Sequence, residues 1–258
     1  MNDIYTLLWR VAGGLIVVFM VGPLLLLALF AFSDSTLVSF PITGLTLDWF
    51  AKLYGTAKFW TALENSLIVT GIVGAVSTVI GTMAACALAR LPPRFAAPTM
   101  AAMTLPVMLP PLVLAIALAN YWASLGIRFG LPTVIIGHLV FTQPIVILIV
   151  YARMIVFDYA TVNSARDLGA SPLAAFLTIT LPIIRPTIIG AALVAMALSV
   201  DDFVLTFFTI GGGSTLPIYM MGLMRRGVSP QINVASLVLI TMTIGASLVA
   251  LRATRYRG

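Results

Sequence analysis

Charge is scarce in this chain of 258 residues: 9% are Asp, Glu, Lys or Arg, 61% are apolar, and the mean hydropathy is +1.12. That composition falls outside the range of soluble domains and specifies a polytopic membrane protein. Histidine and cysteine each occur once, at His138 and Cys86. A single histidine excludes a histidine metal cluster, and a single cysteine excludes an intrachain disulfide. With eight acids, the chain offers no clustered catalytic set, so a membrane-embedded enzyme is not expected. No Gly-x-x-x-x-Gly-Lys-Ser/Thr loop is present to cradle the phosphates of ATP. An internal repeat, a low-complexity tract and a soluble second domain are also missing.

What the chain has is hydrocarbon in long runs. A span needs about 20 apolar residues to cross a bilayer, and six segments qualify, at roughly 8–32, 66–89, 99–124, 132–157, 187–210 and 231–252. The expected fold is therefore an all-α integral membrane protein of six transmembrane helices, in a single transmembrane domain over residues 1–258. The first run is longer than the apolar part of a signal peptide and lacks a clear cleavage site, so it is read as a retained helix. The net charge of +6 follows the bilayer and is no nucleic-acid signal. Arg10, Arg90, Arg94, Arg153, Arg166, Arg185, Arg252, Arg255 and Arg257 fall on the side of both termini; Lys52, Lys58, Arg128, Arg225 and Arg226 fall on the other. The basic excess places both termini and the loop 158–187 in the cytoplasm.

Several stretches carry local signals. Leu47, Trp49, Phe50 and Leu53 are spaced for an amphipathic interfacial helix, with Trp49, Tyr54 and Trp60 at the headgroup level. Gly81, Ala85 and Ala89 form a small-residue face suited to close helix packing. Pro106, Pro110 and Pro111 free carbonyls at membrane depth, either as kinks for packing or as a broken helix beside a translocation path. Tyr121 is a belt aromatic or a residue of that path, and His138 reads as a satisfied structural histidine.

The polar interruption Asp158–Thr187 contains start and stop signals for two short helices. Asp158 can cap a first helix that Gly169 ends; Ser171 caps a second, with Pro172 at its first position and Pro182 where it must stop or bend. Short helices are marginal in water. Apolar residues at Leu168, Leu173, Phe176, Leu177 and Ile179 therefore call for a partner.

The fifth segment contains Asp201-Asp202. A carboxylate inside a span costs on the order of 2.5–3.5 kcal/mol on insertion scales, so the pair should face the bundle interior and serve a purpose. Adjacent helical residues project about 100° apart, so one acid is expected on a path and the other on a neighbouring group. Phe203, Phe207 and Phe208 lie beside them, and aromatic faces next to carboxylates suit an organic cation. An interhelical polar contact remains the plainer reading.

The order Asn163-Ser164-Ala165, Gly169-Ala170-Ser171, Leu181-Pro182 and Pro186 resembles the coupling motif of permease subunits of type I ABC importers. Asn163 and Ser164 stand where that motif usually has Glu and Ala. The resemblance implies that Asn163, Ser164, Ala165, Arg166, Asp167, Gly169, Ser171, Leu181 and Pro182 engage a cytoplasmic ATPase subunit dimer. It also implies a sister permease subunit, a periplasmic solute-binding protein and residence in a bacterial inner membrane. ATP and Mg would belong to the ATPase, and this chain would bind no cofactor. The stretches Phe40-Pro41 to Trp49-Phe50 and 199–233, the latter holding the paired acids, resemble the polyamine branch of the family. The resemblance thus implies spermidine or putrescine as the cargo, and the residues read above as candidates for its path are Asp201, Asp202, Phe203, Phe207, Phe208 and Tyr121. An importer for an opine, an amino-acid derivative or another amine is the alternative; a secondary transporter would usually show an internal repeat.

Overall fold

The computed structural model describes residues 2–36, 38–225, 227 and 229–255. Arg226, Arg257 and the side chain of Arg255, all used in the charge distribution above, lie outside that description. The named elements are all helical: α1 Asn2–Ala31, α2 Asp48–Tyr54, α3 Ala57–Leu88, α4 Pro93–Met108, α5 Pro111–Ser124, α6 Leu131–Met154, α7 Ala160–Asp167, α8 Pro172–Ala175, α9 Leu181–Asp201, α10 Val204–Thr209, α11 Leu216–Arg225 and α12 Pro230–Arg255. Among the described residues, five stretches are long and apolar enough to span a membrane: Tyr5–Ala31, Ala57–Leu88, Leu131–Met154, Pro172–Asp201 and Pro230–Leu248. The pair α4 and α5, bent by 95° at Leu109 and Pro110, makes a sixth if counted as one broken span.

Two compact units are present. One takes in the chain up to Trp60 with Tyr219–Thr243; the other takes in Thr61–Ile218 and the chain from Ile244 onward. In the first, α1 is apolar all round and shows most of its side chains between Tyr5 and Leu29 on the surface, as a helix in lipid does. Trp49 is buried within the protein, and its Nε1–H donates to the Ser33 carbonyl at 2.8 Å. Tyr54 and Trp60 stay exposed and stack on each other at 5.9 Å between centroids.

The second unit is organised round α6, which buries residues on every side and packs most extensively on α9. Between helices in lipid there is no hydrophobic drive to associate, so contact depends on close packing and polar links. Gly81 supplies the first: a Cβ there would stand 2.6 Å from Cγ1 and 3.0 Å from Cβ of Val146 on α6. Ser77 and Thr142 supply the second, their hydroxyls 2.9 Å apart between α3 and α6. The largest cluster joins Ala85 and Leu88 of α3, Val146, Val150 and Met154 of α6, and Ile184, Ala191 and Ala195 of α9.

The fifth span differs most from expectation. It begins at Pro172 and ends at Asp201, where 187–210 was expected. Pro182 does not stop the second loop helix. Residues Phe176–Thr180 form a π-helical turn, in which the Leu181 N–H reaches back to the Phe176 carbonyl. The extra residue in that turn gives slack for a proline that has no N–H and whose ring would crowd the preceding turn. Helix therefore runs on, as α8, the π turn and α9, over 30 residues.

Candidate functional site

The two ends of that continuous helix carry the candidate residues. At its N-terminal end stands a hairpin made by α7 and α8. Asp158 Oδ1 accepts the Ala160 N–H at 2.9 Å, one residue ahead of where a cap on the helix itself would sit, and Tyr159 takes the cap position. Gly169 has φ +93, a left-handed value, and follows the last turn of α7. Its N–H donates to the Arg166 carbonyl at 2.9 Å and the Ala170 N–H donates to the Ala165 carbonyl at 3.0 Å. That pair of bonds is the Schellman closure, which accounts for glycine at this place. Ser171 Oγ accepts the Ala174 N–H at 3.2 Å, with Pro172 opening α8.

The hairpin is held from one side only. Val162 and Ala175 are buried in the cluster with Met154, Phe157 and Ile184, and Ile179 packs partly against it. Leu168 is 89% exposed, and Leu173 and Leu177 are exposed with it. Asn163, Ser164, Arg166, Asp167, Gly169, Ser171 and Pro182 are exposed, while Ala165 and Leu181 are half-buried. Asn163, Arg166, Asp167, Gly169, Ala170 and Pro172 border one depression of about 430 Å³. A guanidinium from the end of α3, that of Arg90, lies 5.9 Å from the Tyr159 ring and ties the hairpin's entry to the bundle.

At the other end, α9 stops at Asp201. Asp202 leaves the helix with φ −69 and ψ 115, and α10 starts two residues later. The two acids therefore do not share one helix, and the 100° relation expected between them does not apply. Asp202 Oδ2 accepts the Thr206 N–H at 2.9 Å and the Thr206 hydroxyl at 3.2 Å. Its side chain is 14% exposed and lies 3.3 Å from Nε2 of His138, itself 1% exposed. Nε2 is also 2.9 Å from Thr206 Oγ1, and Nδ1 is 2.8 Å from Ser199 Oγ. A ring nitrogen facing a carboxylate oxygen carries a hydrogen, so Nε2–H is the donor on that side, while Nδ1 pairs with the Ser199 hydroxyl. The Asp201 side chain is exposed and has no hydrogen-bond or ion-pair partner among the described residues.

A cavity of about 670 Å³ opens beside this break. Its lining is largely apolar, with Pro106, Leu109 and Pro111 from the bent span, Phe141 and Ile145 from α6, and Asp201, Asp202 and Phe203. The broken helix thus sits beside a cavity with the acids on its border. The Phe207 ring lies tilted against Phe203, centroids 5.4 Å apart, but does not line the cavity, and Phe208 packs with Leu114, Ala115 and Leu205. Tyr121 is exposed on α5, also off the cavity. The sequence did not reveal His138, Ser199 and Thr206 as neighbours of the acids. Hydroxyls three residues before and four after Asp202 were the available signal, but which span supplies their partner is a tertiary fact.

Residues 77–256 match the family described as "Binding-protein-dependent transport system inner membrane component". The chain is 32% identical to the putrescine transport system permease protein PotI of Escherichia coli (strain K12), over 92% of this chain and 86% of that protein. It is 31% identical to the spermidine/putrescine transport system permease protein PotC of Shigella flexneri, over 83% of each. Among solved structures, a chain of a bacterial alginate ABC transporter in complex with its pentasaccharide-bound periplasmic protein superposes with a TM-score of 0.75. The two are 18% identical, with 98% of this chain and 96% of that one covered. A chain of the inward-facing MetNI methionine ABC transporter gives 0.64 at 18% identity, covering 76% and 95%. At such identity these two show a shared fold and nothing of the cargo.

Proposed function

We propose that this chain, which belongs to the family of binding-protein-dependent transport system inner membrane components and is a permease subunit of an ABC importer, carries a polyamine such as putrescine or spermidine into the cell. Membership makes it a multi-pass inner-membrane protein that works with an ATPase and a solute-binding protein. The reading adds that the ATPase is a dimer, that a sister permease forms the other half of the path, and that both termini and the hairpin lie in the cytoplasm.

One observation carries the substrate class: an exposed carboxylate, Asp201, with no partner among the described residues, on a largely apolar cavity that also presents the Phe203 ring. A carboxylate at membrane depth is costly unless something compensates it. An amine supplies the charge, its methylenes suit the apolar walls, and an ammonium over an aromatic face gains roughly 0.5–2 kcal/mol. The curated relatives bearing putrescine and spermidine names support the same class.

Transport proceeds by alternating access. The hairpin residues Asn163 to Ser171 seat on the ATPase, with Leu181 and Pro182 at the root of the span. The helix Pro172–Asp201, 30 residues and about 45 Å at 1.5 Å per residue, links that seat to the acids in one piece. A displacement at the ATPase therefore reaches the cavity without crossing a loop. The shift requires the ATPase to hold the hairpin differently in its two nucleotide states, because equal affinity shifts nothing.

The test is uptake of labelled putrescine by cells lacking their own polyamine importers and supplied with this chain, its ATPase, its sister permease and its binding protein. ATP-dependent accumulation, competed by spermidine, is the expected result. Accumulation of an opine or amino acid with no response to either polyamine would overturn the substrate class.

A further inference from the structure

The break between α9 and α10 is bridged by one side chain. His138 meets Ser199, in the last turn of α9, through Nδ1, and Thr206, in the first turn of α10, through Nε2. α6 grips α10 at two further positions. Thr133 Oγ1 donates to the Thr209 carbonyl at 2.7 Å, and Gly137 leaves room for Leu205, whose Cδ2 would lie 2.4 Å from a Cβ at 137. Asp202 sits inside this clasp, accepting both the N–H and the hydroxyl of Thr206 next to His138.

The two neighbouring acids thus stand in opposite settings. Asp202 precedes α10 and satisfies a donor of its first turn, as a capping carboxylate does. Asp201 is the last residue of α9, at the helix end whose orphan carbonyls already make it negative. A carboxylate there is disfavoured at rest, and the arrival of a cation relieves it. From these contacts we propose that His138 and Asp202 are a positioning pair that holds the helix break in place, and that the charge meeting the substrate is that of Asp201 alone. The division of labour rests on the cavity being the amine's path, as read above.

Two measurements on the assembled transporter test it. In putrescine uptake, Asp201→Asn falls by more than about ten-fold, a loss of charge at the contact. Asp202→Asn, whose amide oxygen still accepts from Thr206, keeps at least about a third of the wild-type rate at equal membrane level. The reverse order, or equal losses in both, overturns the proposal.

The second measurement does not depend on the cargo. In a Cys86→Ser background, Asp201→Cys and Asp202→Cys are modified with a water-soluble methanethiosulfonate carrying an ammonium group. Position 201 reacts about ten-fold faster than position 202, and adding His138→Ala speeds position 202 towards the rate at 201. His138→Gln, whose amide can replace Nε2 but not both ring nitrogens at once, returns part of the protection and serves where the alanine variant does not assemble. Equal rates at the two positions, or a rate at 202 indifferent to both His138 variants, overturn the positioning pair even if putrescine uptake is intact. A wild-type transporter that ignores putrescine yet shows the ten-fold split would sink the substrate reading and leave the pair standing.

Discussion

The helix from Pro172 to Asp201 finishes in two different ways. At the hairpin end every defining hydrogen bond joins residues close in sequence: Asp158 with Ala160, Arg166 with Gly169, Ala165 with Ala170, and Ser171 with Ala174. At the acid end the defining bonds run from His138 to Ser199 and Thr206, and from Thr133 to Thr209, across more than sixty residues of chain. The hairpin is shaped by its own residues and leaves Leu168, Leu173 and Leu177 exposed for something outside the chain. The break is shaped by a neighbouring helix and leaves one carboxylate without a partner among the described residues. A locally coded element can move as a unit and keep its form, which suits a handle. One that is clasped from outside holds its geometry only while the bundle around it is intact, which suits a site that must respond to rearrangement.

Substitutions at the two ends sharpen the contrast, and the largest effect is expected at the hairpin. Gly169→Pro forces a φ near −65° where the hairpin uses +93. It is expected to abolish uptake while the protein remains in the membrane at wild-type level, both read in the same cells. Normal uptake by that variant would mean that the turn couples nothing. Next comes the clasp: Thr206→Val keeps shape but leaves Asp202 and His138 short of a partner. The cost is about 1–3 kcal/mol, read as a lowered thermal midpoint in detergent. An unchanged midpoint would place the break's stability elsewhere.

Smaller again is Ser171→Ala, which removes one cap bond for about 1 kcal/mol. Its effect is local: faster amide exchange over 171–176, with the rest of the bundle unmoved. Exchange that spreads into α9 would show the hairpin to be less self-contained than its bonding suggests. Smallest is Tyr121→Phe, a change on an exposed ring away from the cavity. It should alter stability by less than about 0.5 kcal/mol and leave uptake untouched. A substantial loss of uptake would return Tyr121 to the path.

The hairpin was legible because its signals are short-range. Gly169 for a left-handed turn and Ser171-Pro172 for a helix start act through neighbours, and the structure uses both as expected. Pro182 misled because proline's effect depends on what precedes it, and the π turn at Phe176–Thr180 absorbs it. The all-helical fold was legible, with five to six candidate spans among the described residues against the six read from length and hydropathy. The fifth was displaced because a helix can extend well past the hydrocarbon and can end at a break within it. The bond from the Trp49 N–H to the Ser33 carbonyl joins residues sixteen apart, a pairing that spacing alone does not reveal.

Sequence by itself determined a membrane-spanning helical chain, a capped hairpin and two acids too costly to be idle. These follow from solvent, from backbone rules within a turn or two, and from the price of charge in hydrocarbon, none of which needs a distant contact. Only the tertiary structure decided which acid is occupied and which is open, because that depends on a histidine more than sixty positions earlier in the chain being brought to the break. It also decided that hairpin and acids share one rod, because helix continuity through Pro182 is settled by backbone geometry that residue identities leave open.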